Sequence, residues 1–415
     1  MPNSRDNTGS GVLQNLKTLL DSRMGTVQEK LLGRRNGAQG RQLRQMRQQL
    51  EQKTRRLQKA RQRVKERDQQ VADLQTALTR IPARPPIFFV VGMDKSGTGW
   101  LMKMLDAHPE VLCKGEGRFF GGDSDTAPDP AEASPEPGPE PNRTARSLYG
   151  AIVGSEPMRY WVERRSFWTR KGDPEEHLNR LVGFAVEHFL YERLSRSGKR
   201  MVGDKTPMPG PHVLEEINAA IPDAKVIHII RDGRDQAVSW MHQLWKGAPD
   251  QGGDRHITPE EMAKRDDFYR TRRVPLEVDG GGIFTEERLR EAARRWSERV
   301  SKAIEDGPSL LGDRYTEVRY EDLLERPEEE ARRLFEFLGA GGDEEVLRRC
   351  VEATDFEALS GRKRGNEEYE MGFQKRRKGI AGDWKNVFTE RDKAIYKETA
   401  GDLLIKLRYA EDDSW

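Results

Sequence analysis

Three short runs of residues combine glycines, cations and hydroxyls in ways that suit the holding of an anion. The first is Gly92-Met93-Asp94-Lys95-Ser96-Gly97-Thr98-Gly99-Trp100, which follows the apolar run 87–91 and leads into the apolar stretch 101–105. A strand, a glycine-rich turn and a helix start bring unpaired backbone N–H groups and the positive end of a helix dipole to one point. A nucleoside-triphosphate loop requires Lys-Ser/Thr directly after its second glycine. Gly92 and Gly97 have that spacing, but Thr98-Gly99 follows them and the lysine comes earlier, at Lys95. An anion held here is therefore arranged differently from that of an ATPase; the structural alternative is a glycine turn with no ligand. The second run, Arg231-Asp232-Gly233-Arg234-Asp235 with Ser239 eight residues after Arg231, follows the apolar segment 225–230. Arg231 leaves a strand end, where ligands collect in open α/β sheets, and a guanidinium and a hydroxyl aimed together suit a phosphate. Equally, Arg231 could pair with Asp235 and only cap a helix. The third, Arg376-Arg377-Lys378-Gly379 with Gly382 close behind, concentrates enough charge for a dianion, although basic surface loops look the same.

These runs need a scaffold, and the rest of the sequence supplies one. Strand candidates at 87–91, 200–202, 225–230 and 317–319 alternate with helical stretches that include 175–194 and 285–304. That alternation indicates an α/β fold, a parallel sheet covered on both faces. Ahead of it, Pro82, Pro85 and Pro86 end whatever helix precedes them. Residues 41–80 contain no Gly or Pro and repeat an apolar residue every seven: Leu43, Leu50, Leu57, Val64, Val71 and Leu78. The row between them reads Met46, Lys53, Ala60, Arg67 and Leu74, so two charges interrupt it. This predicts an N-terminal coiled coil over 41–81 that joins copies of the chain, with a single solvated helix as the alternative. The stretch 41–80 carries 12 Lys/Arg against 4 Asp/Glu, a local charge of +8, which reads as a solvated face. Residues 1–40 read as weakly ordered and 85–415 as the catalytic body. Within that body, 121–147 holds six prolines and six acids and reads as a mobile acidic loop.

Composition narrows the classes. The 415 residues carry 72 Lys/Arg and 70 Asp/Glu, so no global basicity argues for a nucleic-acid partner. Two cysteines make no disulfide scaffold, no Cys/His cluster has zinc spacing, and a reducing compartment fits. The polar start and the short apolar runs predict a cytoplasmic protein with no secretory signal and no membrane span.

Taken in order, these segments resemble the sulfotransferases that use 3′-phosphoadenosine-5′-phosphosulfate (PAPS), over roughly residues 85–400. Lys95-Ser96-Gly97-Thr98-Gly99-Trp100 is similar to that family's 5′-phosphosulfate loop, with Gly99 in place of Thr and Asp94 in place of Pro. Arg231 and Ser239 stand at the spacing of its 3′-phosphate pair. Arg377-Lys378-Gly379, continuing through Gly382-Asp383-Trp384, looks like its C-terminal 3′-phosphate motif. Tyr320-Glu321-Asp322-Leu323 resembles a segment whose tyrosine lies near the adenine. The resemblance implies a P-loop-like sulfotransferase fold and metal-independent, in-line transfer of a sulfuryl group to an acceptor hydroxyl, leaving adenosine 3′,5′-bisphosphate. It implies that Ser96, Gly97, Thr98 and Gly99 hold the 5′-phosphate and that Trp100 and Tyr320 lie beside the adenine. Arg231, Ser239, Arg377, Lys378 and Gly379 would then hold the 3′-phosphate, and Lys95 would neutralise the leaving oxygen.

For the acceptor's proton the sequence departs from one branch of the family. Cytosolic members that act on small molecules carry Lys-Thr-His, whereas this chain reads Asp204-Lys205-Thr206-Pro207. Lys-Thr-Pro is similar to the heparan-sulfate type, whose base is the glutamate of a Glu-x-His-Phe-Phe stretch. Glu116-Gly117-Arg118-Phe119-Phe120 matches that stretch with Arg118 in place of His. The resemblance therefore implies Glu116 as general base, with Lys205 beside the transferred group and a sugar or other polar hydroxyl as acceptor. His108 and His212 are the weaker candidates. Two other readings compete: a P-loop kinase, opposed by the displaced lysine, and a coiled-coil scaffold on a non-catalytic body. Deleting residues 1–81 should lower the oligomer number measured by light scattering, because the heptad row goes with them; an unchanged number would show that this row does not assemble the protein.

Overall fold

The computed structural model describes residues 38–80, 84–121, 147–164, 173–208, 210–245, 257–271, 282–361, 363–365 and 378–415. The chain divides into two units, Met1–Thr79 and Arg80–Trp415. The first holds one described element, helix α1 (Ala38–Arg80). Met46, Leu50, Leu57 and Val64 of its heptad rows are all more than half exposed, an apolar edge left in contact with water.

The second unit starts with β1 (Ile87–Gly92), α2 (Thr98–Asp106) and β2 (Val111–Gly115), followed by α3 (Leu148–Val153), α4 (Glu156–Arg164) and α5 (Pro174–Ser195). It continues through β3 (Met201–Pro207), α6 (Val213–Ala220), β4 (Lys225–Ile230), α7 (Gly233–Leu244), α8 (Pro259–Thr271) and α9 (Glu286–Asp306). Its last third holds β5 (Tyr315–Arg319), α10 (Tyr320–Glu325), α11 (Pro327–Leu338), α12 (Glu344–Glu352), α13 (Phe356–Ser360) and α14 (Glu390–Lys406).

The strands form one sheet in the order β2-β3-β1-β4-β5, every neighbour parallel. β1 is central, with Ile87 opposite Val202 of β3 and Phe89 opposite Val226 of β4. All six of its residues are buried, as a strand covered on both faces requires. Its side chains alternate. Ile87, Phe89 and Val91 pack with Val186, Leu190 and Leu194 of α5 and Ile217 of α6. Phe88 and Val90 pack with Leu101, Met104 and Leu105 of α2 and Leu334 and Phe335 of α11. A third cluster joins Met241 of α7, Trp296 of α9 and Tyr396 of α14. Trp296 also donates Nε1–H to the Arg231 carbonyl at 3.1 Å, which ties the end of β4 to that cluster.

The sheet exceeds the sequence reading in two places. β2 was not anticipated, because Val111-Leu112-Cys113 is a short apolar run between polar residues. β3 continues past residue 202 through Gly203-Asp204-Lys205-Thr206-Pro207, a polar stretch held as strand by pairing on both sides. At Gly203 a side chain is excluded, since a Cβ there would lie 2.3 Å from the Phe88 ring. Of the acidic stretch only Gly121 and Ser147 are described; residues 122–146 lie outside the described ones, as do residues 1–37.

Candidate active site

β1 delivers its chain into the turn of residues 93–97, and α2 carries it away. Two glycines make that passage possible. A Cβ on Gly92 would sit 2.5 Å from the Ile229 carbonyl oxygen. Gly97 has φ of +99°, and a Cβ there would lie 2.6 Å from the Tyr320 ring. Gly99 has open space where its side chain would be. The turn is braced from α7: Gln236 Nε2 donates to the Asp94 carbonyl at 2.8 Å, and Lys95 Nζ to Gln243 Oε1 at 3.3 Å. At the start of α2 the Trp100 and Leu101 N–H groups donate to the Gly97 carbonyl at 2.9 and 3.0 Å, which leaves the Thr98 and Gly99 N–H groups ahead of the helical ladder.

Arg231, buried at the end of β4, grips both sides of the site. It donates to the Lys95 carbonyl at 3.1 Å and to the Ile380 carbonyl at 3.2 Å, and it lies 4.4 Å above the Tyr320 ring centre. Its Nε is buried with no hydrogen-bond partner among the described residues. Asp235 is 3.8 Å from this guanidinium, but its carboxylate accepts from the Gly382 and Trp384 N–H groups at 2.6 and 2.9 Å. The cap of α7 is Asp232, which accepts from Arg234 N–H at 2.9 Å. The simple helix-cap reading of Arg231 and Asp235 is thus replaced: together they fasten the returning segment 378–384 to the sheet end. Burial pushes the Asp235 carboxyl up, against the pull of Arg231. In that segment Lys378 pairs with Asp383 at 3.0 Å. Gly379 has φ of +67°, and a Cβ there would lie 2.3 Å from Phe356.

Across the site, Glu116 and Lys205 form an ion pair, with Glu116 more exposed than Lys205. Trp100 donates its indole N–H to the Thr354 carbonyl at 2.9 Å and meets Tyr320 edge-on with ring centres 5.6 Å apart.

One cleft of about 860 Å³ gathers Lys95, Gly97, Thr98, Gly99, Trp100, Glu116, Lys205, Arg231, Ser239, Tyr320, Lys378 and Gly379. Ser96 is buried and does not reach the cleft wall; its N–H closes the turn on the Met93 carbonyl at 3.1 Å. Arg377 lies outside the described residues. His108 is buried against the Gly341 carbonyl at 2.5 Å, its pKa lowered by burial, and His212 is exposed beside Glu215; neither reaches the cleft. Sequence reasoning missed Gln243, Thr354, Phe356 and Arg364, which also line it. Gln243 had a signal, standing one helical turn after Ser239; the other three belong to no motif. Among the described residues no cluster of His, Cys, Asp and Glu could hold a metal ion.

Comparison with known proteins gives the chain its relatives. Residues 86–273 match the model described as "Sulfotransferase family", and residues 211–407 match "Sulfotransferase domain". The chain belongs to the sulfotransferase family. It is 34% identical to Sulfotransferase 1B1 of Canis lupus familiaris over 199 residues, 45% of this chain and 58% of that one. It is 23% identical to Protein-tyrosine sulfotransferase A of Caenorhabditis elegans over 265 residues, 63% of this chain and 52% of that one. The chain thus spans a little over half the length of these curated relatives. Among solved structures it is similar to mouse sulfotransferase SULT7A1 complexed with PAP, at 16% identity, 81% of this chain, 90% of that one and a TM-score of 0.40. The two matches overlap over residues 211–273, which include the end of β4; the β1 turn lies in the first match and the 378–386 segment in the second.

The two loop glycines should separate by substitution. Gly97→Ala combines positive φ with a ring contact and should destabilise by more than about 1 kcal/mol. Gly99→Ala enters open space and should stay within about 0.5 kcal/mol of wild type. Urea unfolding checks both, and equal losses would contradict the described turn.

Proposed function

We propose that this chain moves the sulfuryl group of PAPS to an acceptor hydroxyl. The observation that supports this best is the shared cleft: the glycine turn with Lys95 on one wall, Arg231, Ser239 and Lys378 on another, and the Glu116–Lys205 pair at a third. The Arg231 Nε, which has no partner among the described residues, and the open position above Gly99 suit a ligand with phosphates at two places.

When bound, PAPS supplies an activated sulfuryl group on a phosphate leaving group. The turn residues Gly97, Thr98 and Gly99 hold the 5′ side through N–H groups at the start of α2. Lys95 neutralises charge on the departing oxygen. Arg231, Ser239 and Lys378, with Arg377 by resemblance, hold the 3′-phosphate, and Trp100 and Tyr320 offer aromatic surface to the base. Glu116 takes the acceptor's proton, and Lys205 keeps that carboxylate in place and faces the transferred group. Catalysis on this scheme is positioning and charge neutralisation, as in phosphoryl transfer. Arg118 stands beside Glu116 on the cleft wall, so a polar hydroxyl, of a sugar or similar metabolite, suits the acceptor side better than a bare phenol. The heptad rows of α1 serve self-association in a cytoplasmic enzyme.

The test is turnover of sulfur-labelled PAPS against a panel of hydroxylated metabolites in EDTA. Glu116→Gln should lower the rate by about 10²–10⁴ with PAPS binding retained, and Lys95→Ala should abolish turnover in a folded protein. Wild-type rates in either variant would remove that residue from the scheme, and activity only with ATP and magnesium would replace the scheme with a kinase.

A further inference from the structure

Beside the Glu116–Lys205 pair lies a carboxylate that the proposed chemistry leaves idle. Asp204 is in the middle of β3 and has no exposed surface. Strand alternation puts it on the sheet face of Val202 and Thr206, opposite to that of Lys205 and Pro207, which line the cleft. Its two oxygens accept from the Gly117 N–H at 3.1 and 3.2 Å, and one of them also accepts from Thr206 Oγ1 at 3.2 Å. Gly117 follows Glu116 directly, in a stretch, 114–118, whose residues are all exposed. The exposed residues that carry Glu116 are thus held by backbone hydrogen bonds, the Gly117 N–H donating to Asp204 and the Arg118 carbonyl accepting from the Leu148 N–H at 3.0 Å.

We propose that Asp204 is a positioning residue: by holding the Gly117 N–H it fixes the backbone on which Glu116 stands and so aims that carboxylate at Lys205 and the cleft. The proposal rests on the reading of Glu116 as the base.

The site bears a cost that a residue kept for packing would not impose. Burial pushes the Asp204 carboxyl up to about 6, and the Gly117 and Thr206 hydrogen bonds, Arg193 of α5 and Lys205 offset only part of that. Cys113 of β2, paired in register with the neighbouring Gly203, has its thiol pushed up by burial and by Asp204. Because the folded-state pKa is raised, the native chain holds more protons than the unfolded one between 3.8 and about 6. Stability therefore falls as pH rises through that window, and the penalty is complete above it. A destabilising ionised carboxylate that orders an active-site loop is the pattern expected where function outweighs stability.

Two variants and a cycle test this. Asp204→Asn keeps the volume and one oxygen for the Gly117 N–H but has no charge; Asp204→Ala removes both. At pH 7.5 the Asn variant should melt above wild type, and the gap should close below about pH 4. Asp204→Ala should lower kcat by about 10- to 100-fold with unchanged affinity for adenosine 3′,5′-bisphosphate, and Asp204→Asn should lower it by less. In a Glu116→Gln background neither change should lower kcat further. A slow Glu116→Gln enzyme with normal kcat in the folded Asp204 variants would overturn the positioning role alone. Full additivity of the two losses would overturn it as well. If Glu116→Gln itself keeps the wild-type rate, the reading of Glu116 fails and this proposal goes with it. Should Asp204→Ala not fold, Asp204→Asn carries the same comparisons.

Discussion

Several cations brought to one cleft repel one another, and that repulsion is the constraint that the walls of the cleft must meet. Lys95, Lys205, Arg231 and Lys378 all reach one cleft. Each is held by an acceptor supplied by the fold: Gln243 for Lys95, Glu116 for Lys205, two backbone carbonyls for Arg231 and Asp383 for Lys378. Asp235 is central to the arrangement. Its buried carboxylate sits near Arg231 and, through the Gly382 and Trp384 N–H groups, secures a segment almost 150 residues further along the chain. Hydrogen bonds to an ionised acceptor are among the stronger ones available to a protein. Without the two Asp235 bonds, the wall that carries Lys378 and Gly379 is left to the Arg231–Ile380 bond at the sheet end.

The sheet explains why these groups meet. β1, β3 and β4 are adjacent and parallel, so the turn after β1, the residues closing β3 and Arg231 after β4 all emerge at one edge. Ligands of open α/β sheets gather outside the carboxyl ends of the strands for this reason. The same geometry divides β3 by its two-residue period. Lys205 and Pro207 reach the cleft, whereas Asp204 and Thr206 turn to the opposite face, where their polar groups bond to each other and to the loop before α3.

How much of this could be read in the sequence varied with the kind of signal. The β1 turn was legible because a glycine with positive φ, a strand end and a helix start leave marks within a few adjacent residues. Arg231 and Ser239 were legible through their spacing on one strand–helix unit. Asp235 was visible only as an acid near Arg231; its bonds to Gly382 and Trp384 depend on a return of the chain that no local pattern announces. β2 and the polar half of β3 were missed for a related reason, since their strand character comes from neighbours on both sides and not from their own propensity. Thr354, Phe356 and Arg364 line the cleft from a region with no motif. The acidic run within 121–147 and Arg377 were read from the sequence but fall, but for the ends of that run, outside the described residues.

The central claim is that Arg231, Ser239 and Lys378 form a pocket for a phosphate on the 3′ position of a nucleotide. It is tested most directly by calorimetric binding of adenosine 3′,5′-bisphosphate and of adenosine 5′-phosphate, without divalent metal, to the wild type and to Arg231→Met. The account predicts that the bisphosphate binds the wild type far more tightly than the monophosphate, and that Arg231→Met removes most of that difference while leaving the monophosphate almost unaffected. Equal affinity of the two nucleotides for the wild type would contradict it.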